Sequence, residues 1–284
     1  MEEKETNTEE TTQEETKEEK KSKAKKKLTQ EDIIKVLNTC YEKSLSGIKV
    51  VSPPIDKFAD DYLKKHKDPE KAAKAMIKNQ IAKCTTSGFI TGFGGAITLP
   101  ITIPVNIGSV LYVQMRMIAC TAYLAGLDLD CDQVQTFVYA CLAGVSVNEV
   151  VKQAGIKVGV KVVEKAIEKI PGKALTKINQ KIGFRLLTRF GDKGIVNLGK
   201  LLPGVGAVIN GGLDFVETKI IANRAYKMFF EGDYSAGEDA DASNENSQIK
   251  NEDIINVEVV DGVAYEEEIK NTMYSAMIAD IGGK

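Results

Sequence analysis

The chain has one histidine, His66, and no C-x-x-C pair among its five cysteines. A zinc site or a histidine-based triad would need unusual ligands, so no metal is expected. His66 sits in YLKKHKDPEK and reads as part of a charged, exposed helix end. Cys40, Cys84, Cys120, Cys131 and Cys141 are odd in number and mostly flanked by apolar residues. That pattern suits reduced, buried thiols in a reducing cytosol. Also missing are the P-loop pattern G-x-x-x-x-G-K-[ST] and the G-x-S-x-G nucleophile elbow. The glycine clusters Gly92-Phe93-Gly94-Gly95 and Gly204-Val205-Gly206 follow no strand pattern, which removes a dinucleotide fold. No cofactor is implied, and an enzyme is not supported.

The N-terminal residues MEEKETNTEETTQEETKEEKKSKAKKK lack the apolar core of a secretory signal. Their high charge and low hydrophobicity predict a disordered tail over residues 1–28.

Charge itself is absent from residues 85–115, TTSGFITGFGGAITLPITIPVNIGSVLYVQM. Gly92, Gly94, Gly95, Pro100 and Pro104 make a continuous helix there costly and predict a bend between two apolar arms. Such a hairpin must leave water, either into a protein core or into lipid. The second arm, residues 105–127, has eight Leu, Ile or Val, each favouring insertion by about 0.3–0.6 kcal/mol. Arg116 near its centre costs about 2.5–3.5 kcal/mol on the same scale. The balance is near zero, so a stable membrane span is not expected. Asp214, in GGLDFVETK, is the carboxylate in the most apolar neighbourhood. It is a candidate partner for Arg116 or for a lysine, because a lone buried charge is costly.

Helical periodicity dominates the rest. Thr29 with Asp32 reads as a capping box, followed by Ile33, Leu37, Cys40 and Tyr41 at helical spacing. Pro53-Pro54 opens a second helix with Ile55, Phe58, Ala59 and Tyr62 on one face. Asp68-Pro69 opens a third, carrying Ala73, Met76, Ile77 and Ile81. Asp128 or Asp130 is expected to cap the helix that carries Val134, Phe137 and Cys141. Two basic amphipathic helices are expected over residues 149–170 and 173–190, and another helix ends near residue 230. Residues 231–253 read as an acidic linker. In residues 254–284, alternation around Asp261-Gly262 suggests a small β-hairpin, and Ile269, Met273, Met277 and Ile281 a final helix.

Along the basic region every fourth residue is cationic: Lys157, Lys161, Lys165, Lys169, Lys173, Lys177, Lys181, Arg185 and Arg189. Residues 152–200 hold twelve Lys or Arg against three acids, in a chain of net charge −2. A solvated face explains such a row. So does an anionic partner, since each cation near an anionic membrane contributes about 1 kcal/mol. Nucleic acid is disfavoured, because the stretch has few aromatics for stacking and no nucleic-acid module is recognisable. The apolar arms would supply the second signal that stable membrane anchoring needs.

Four segments carry a resemblance: the P-x-x-x-P turn at Pro100 and Pro104, Gln114-Met115-Arg116, IPGKALTKIN around Pro171, and Pro203-Gly204-Val205-Gly206. Over residues 76–230 the chain resembles the EcsC protein family. The resemblance implies a bacterial, largely helical, membrane-associated protein, and the family is named for an operon that also encodes an ABC transporter. No catalytic residue carries over from it. The resulting expectation is an all-α bundle over residues 29–230, built around the apolar hairpin. Its expected role is cytoplasmic and non-enzymatic: binding anionic lipid on the inner face of the membrane, or accompanying transporter subunits. The alternatives are a soluble scaffold for an acidic protein partner, and a lipid hydrolase whose site would join Asp214 to a serine or threonine.

Overall fold

The computed structural model describes residues 29–49, 52–85, 105–159, 164–190 and 208–235. The N-terminal tail, the glycine-rich part of the apolar hairpin, the expected acidic linker beyond residue 235 and the expected C-terminal hairpin and helix lie outside these residues. Among the described residues the fold is all helix, with one isolated β-bridge between Ile48 and Ser52.

Helix α1 (Gln30–Ser46) starts with the expected capping box. The Asp32 amide donates to Thr29 Oγ1, and the Thr29 amide to Asp32 Oδ2, each at 3.1 Å. Its inward face buries Ile33, Val36, Leu37, Cys40 and Tyr41. The helix ends at Gly47, in a positive-φ conformation (76°) where a β-carbon would lie 2.4–2.6 Å from the Ser52 and Pro53 backbone. Only glycine admits the hairpin-like turn that Ile48 and Ser52 close. Helix α2 (Ile55–His66) then packs Ile55 and Ala59 inward, and His66 is exposed as expected. Asp68 caps α3 (Pro69–Thr85) by accepting from the Lys71 amide at 2.8 Å. Ala73, Met76, Ile77 and Ile81 of α3 are fully buried.

Helix α4 (Val105–Leu124) is the axis of the bundle. It touches α1, α2, α3, α5 (Asp132–Ala143) and α9 (Val208–Tyr226). Every residue from Leu111 to Ala122 is buried, which is why its apolar residues run round the whole helix instead of forming a stripe. No described helix is long and apolar enough to cross a membrane. In α4 the polar exceptions are placed by partners: Gln114 Nε2 donates to Thr218 Oγ1 of α9 at 3.0 Å. The N-cap of α5 is Cys131, not an aspartate. Asp128 instead turns its carboxylate to the Asp130 amide (2.9 Å), closing the preceding loop on itself.

The first of the two expected basic helices is broken. The region holds a short α6 (Asn148–Gln153) and a single turn, α7 (Glu164–Ile167). Gly155 (φ 74°) and Gly159 (φ 82°) are left-handed, a conformation that ends a right-handed helix. The second is continuous as α8 (Gly172–Phe190). After α9 the chain makes a π-helical turn (Lys227–Glu231) and folds back: Tyr234 is fully buried, and its carbonyl accepts from the Val147 amide at 3.0 Å.

Three thiols are sealed in this core: Cys40 of α1, Cys120 of α4 and Cys141 of α5. Burial raises each from 9.0 to about 12. The unfolded chain therefore loses these protons first, so their contribution to stability is complete below pH 9 and lost as pH rises toward 12. Each thiol costs about 1.4 kcal/mol per pH unit in that window. The urea midpoint is expected to hold steady up to pH 8.5 and to fall between pH 9 and 10. A Cys120→Ala, Cys141→Ala variant should fall less steeply, and equal slopes would contradict the account.

Candidate functional site

The described cationic surface is built on α8. Leu175, Ile178, Ile182 and Leu186 are buried against the bundle, where α8 meets α1 and α5. Gly183 faces the start of α1, where a β-carbon would meet Gln30 Cβ at an ordinary contact distance of 3.4 Å. That docking points Lys173, Lys177 and Lys181 into solvent, with Lys169 exposed in the turn just before the helix. Among the described residues no carboxylate pairs with any of these four lysines; ion pairs such as Lys64–Asp61 and Lys74–Glu70 lie on other helices.

An aromatic ring lies in the same face. Phe184 is 64% exposed, which is unusual for so large an apolar side chain. Eleven residues make about three helical turns, so Phe184 stands within about 20° of Lys173 around the helix, between Lys173 and Lys177. Phe184 is one of the few aromatics that the sequence offered in this stretch. The eleven-residue spacing from Lys173 was the signal that could have set it apart.

The other members of the cationic row separate. Lys157 is exposed but lies in the glycine-bounded turn after α6, and Lys161 is outside the described residues. Lys165 on α7 and Arg189 on α8 have described backbones only. Arg185 is half-buried, about 40° round the helix from Lys181 at the border of the lysine face. Of the expected comb over residues 157–189, Lys169, Lys173, Lys177 and Lys181 stand exposed together on α8 and its leading turn. The hairpin residues Gly92, Gly94, Gly95, Pro100 and Pro104 lie outside the described residues. Asp214 is on α9, with its side chain outside them.

Two further arginines contrast sharply. Arg116 is 3% exposed on α4. Its Nη1 donates to the Ser44 carbonyl (2.7 Å), its Nη2 to the Pro53 carbonyl (2.5 Å), and its guanidinium lies 4.5 Å from the centre of the Phe58 ring. Burial lowers its pKa, while the Tyr112 hydroxyl opposes that shift. Beside it, Ser52 Oγ and Tyr112 OH are 2.5 Å apart. Arg116 therefore ties the α1–α2 connection to the central helix.

Arg224 of α9 is half-buried over the C-terminal end of α5, its guanidinium 2.7–3.0 Å from where a Gly144 β-carbon would stand. It makes no hydrogen bond and no ion pair among the described residues. The carbonyls it might have used, Ala140 and Cys141, accept from the Gly144 and Val145 amides. The α5 dipole favours a cation there by about 0.3–1 kcal/mol. Desolvating an ion costs several kcal/mol, so the dipole alone does not balance the burial. Burial is the main cause of a lowered Arg224 pKa; the Cys141 thiol opposes it and the Arg185 charge adds to it. Nothing in the sequence pattern had drawn attention to Arg224.

Comparison with known families now bears on this arrangement. The EcsC protein family matches residues 1–230 of the chain. The chain belongs to the EcsC protein family. The match takes in the N-terminal 75 residues, beyond the span on which the sequence resemblance had rested, and it ends at residue 230, within the π-helical turn. No curated protein and no solved structure matches this EcsC protein. The surface on α8 falls within IPGKALTKIN and the residues that follow, one of the segments that had carried the resemblance.

Proposed function

We propose that this EcsC protein is a non-enzymatic, peripheral membrane protein that binds anionic lipid through the outer face of α8. The observation that carries the reading is Lys169, Lys173, Lys177 and Lys181, exposed and without carboxylate partners among the described residues, around the exposed ring of Phe184. A solvated helix normally intersperses both signs of charge and keeps large aromatics inside. A cationic face with one apolar wedge matches the two demands of a bilayer surface: headgroup charge, and a shallow apolar boundary that accepts a ring. The uncharged residues 85–104, which precede the buried helix α4, are a second apolar element that lipid would accept by composition. In this reading the protein works at the cytoplasmic face of the membrane, where a transport complex is a fitting neighbour.

The test is flotation of the intact chain with vesicles of neutral phosphatidylcholine, with and without about a third of anionic phosphatidylglycerol. Binding is expected only to the anionic vesicles, weakening with salt as surface charge attraction does. Absence from both vesicle types would overturn the proposal. A salt-sensitive complex with an acidic protein, formed without lipid, would replace it by the scaffold reading.

A further inference from the structure

We infer that the α8 face has a competitor within its own chain. The glutamate-rich residues 2–19 dock on Lys169, Lys173, Lys177 and Lys181, and anionic lipid displaces them. The consequence for lipid rests on the membrane reading above, whereas the contact itself needs no membrane.

Two observations bring this segment to this face. The first is where the chain enters the fold. Gln30, the first residue of α1, lies against α8: its Cβ is 3.4 Å, and its carbonyl oxygen 3.7 Å, from where a Gly183 β-carbon would stand. Gly183 immediately precedes Phe184, so the residues before Thr29 leave the fold beside the exposed ring. Thr29 and Gln30 are themselves exposed, and nothing of the core closes over them. The second observation is charge. Residues 2–19 hold nine glutamates and two lysines, opposite in sign to the face beside which they are tethered.

Length permits the contact with room to spare. Residues 20–28 reach about 30 Å when extended, whereas Lys173 to Lys181 covers about 12 Å along α8. So short a tether holds the glutamates at an effective concentration in about the millimolar range. The rival partners are the six lysines of residues 20–27. The lysines of α8 have the advantage of a fixed spacing on a folded helix, so fewer residues must be ordered for each pair. Exposed ion pairs are individually weak, and a surface that presents many anionic headgroups at once outcompetes them. Once the glutamates are displaced, residues 20–27 add their own charge to the cationic surface that meets lipid.

The test couples carboxylates to lysines with a zero-length carbodiimide in the full chain, without lipid, and reads the linked peptides by mass spectrometry. Links from residues 2–19 to Lys173, Lys177 or Lys181 are expected. They should vanish in about 1 M salt, where the screening length is about 3 Å. With nitrogen-15-labelled and unlabelled chains mixed, the links should stay within one isotope. The second arm is a full-length variant with all nine glutamates changed to glutamine. Its affinity for phosphatidylcholine vesicles with about a third of phosphatidylglycerol is expected to rise about fivefold.

Links confined to residues 20–27, or found only between isotopes, overturn the docked segment. Unchanged vesicle affinity in the glutamine variant, beside a wild type that binds, overturns the competition. The two readings fail separately. Absence of both chains from anionic vesicles strikes the membrane reading and leaves the links standing, whereas missing links beside wild-type vesicle binding strike only the docked segment.

Discussion

Changing Lys169, Lys173, Lys177 and Lys181 together to glutamine is expected to lower partitioning onto anionic vesicles about a thousandfold at low salt. Each lysine near an anionic surface contributes about 1 kcal/mol, and 1.4 kcal/mol is a factor of ten. All four side chains are exposed and without carboxylate partners among the described residues, so the fold should not register their loss. The urea midpoint is expected to move by no more than about 0.5 kcal/mol in free energy. Phe184→Ser adds the complementary arm. An inserted ring leaves water, so its loss should weaken vesicle binding about tenfold, and by the same factor at high salt as at low. An acidic protein partner predicts the opposite pattern, in which every contribution fades as salt rises. Vesicle binding that survives the four substitutions would move the site away from α8.

Much of the helical core was legible because its signals are local. The Thr29–Asp32 capping box, the Asp68 cap and the inward stripes of α1 and α3 each depend on residues three or four apart. The central position of α4 could also be anticipated, since a helix apolar on all sides must be surrounded. What misled was the fourfold repeat of lysine between residues 157 and 169. Charge spacing recorded a surface pattern, whereas Gly155 and Gly159 decided the backbone, and both adopt left-handed conformations that stop the helix. The N-cap of α5 was misplaced for a similar reason. Asp128 had a competing local use, closing its own turn through the Asp130 amide, and Cys131 took the cap position without a side-chain bond.

The candidate site was half legible. Lys173, Lys177 and Lys181 on one helix followed from spacing alone, but their freedom from partners and the exposure of Phe184 depend on how α8 docks. That docking is set by Leu175, Ile178, Ile182 and Leu186 packing on α1 and α5, contacts between residues far apart in the chain. Arg224 was out of reach altogether, because its place over Gly144 is made by α9 packing on α5.

The reading of Arg116 also changes once its acceptors are known, and a second large effect follows. Sequence alone suggested a carboxylate, Asp214, because only side chains leave a mark in sequence. The acceptors found are main-chain oxygens of Ser44 and Pro53, which any residue could supply. Arg116→Met keeps the apolar stem and removes the charge, leaving two carbonyls at the α1–α2 connection without their donors. Each buried acceptor left unsatisfied costs about 1–3 kcal/mol, so a loss of about 3 kcal/mol is expected, a large part of the 5–15 kcal/mol typical of a domain. Arg116→Lys reaches one acceptor at most and should lose about half as much.

A double-mutant cycle with Asp214→Asn separates the two accounts. If carbonyls hold Arg116, the two substitutions add within about 0.5 kcal/mol. A coupling above about 1 kcal/mol in urea unfolding would restore the ion pair, and would make Asp214 the counter-charge of the central helix.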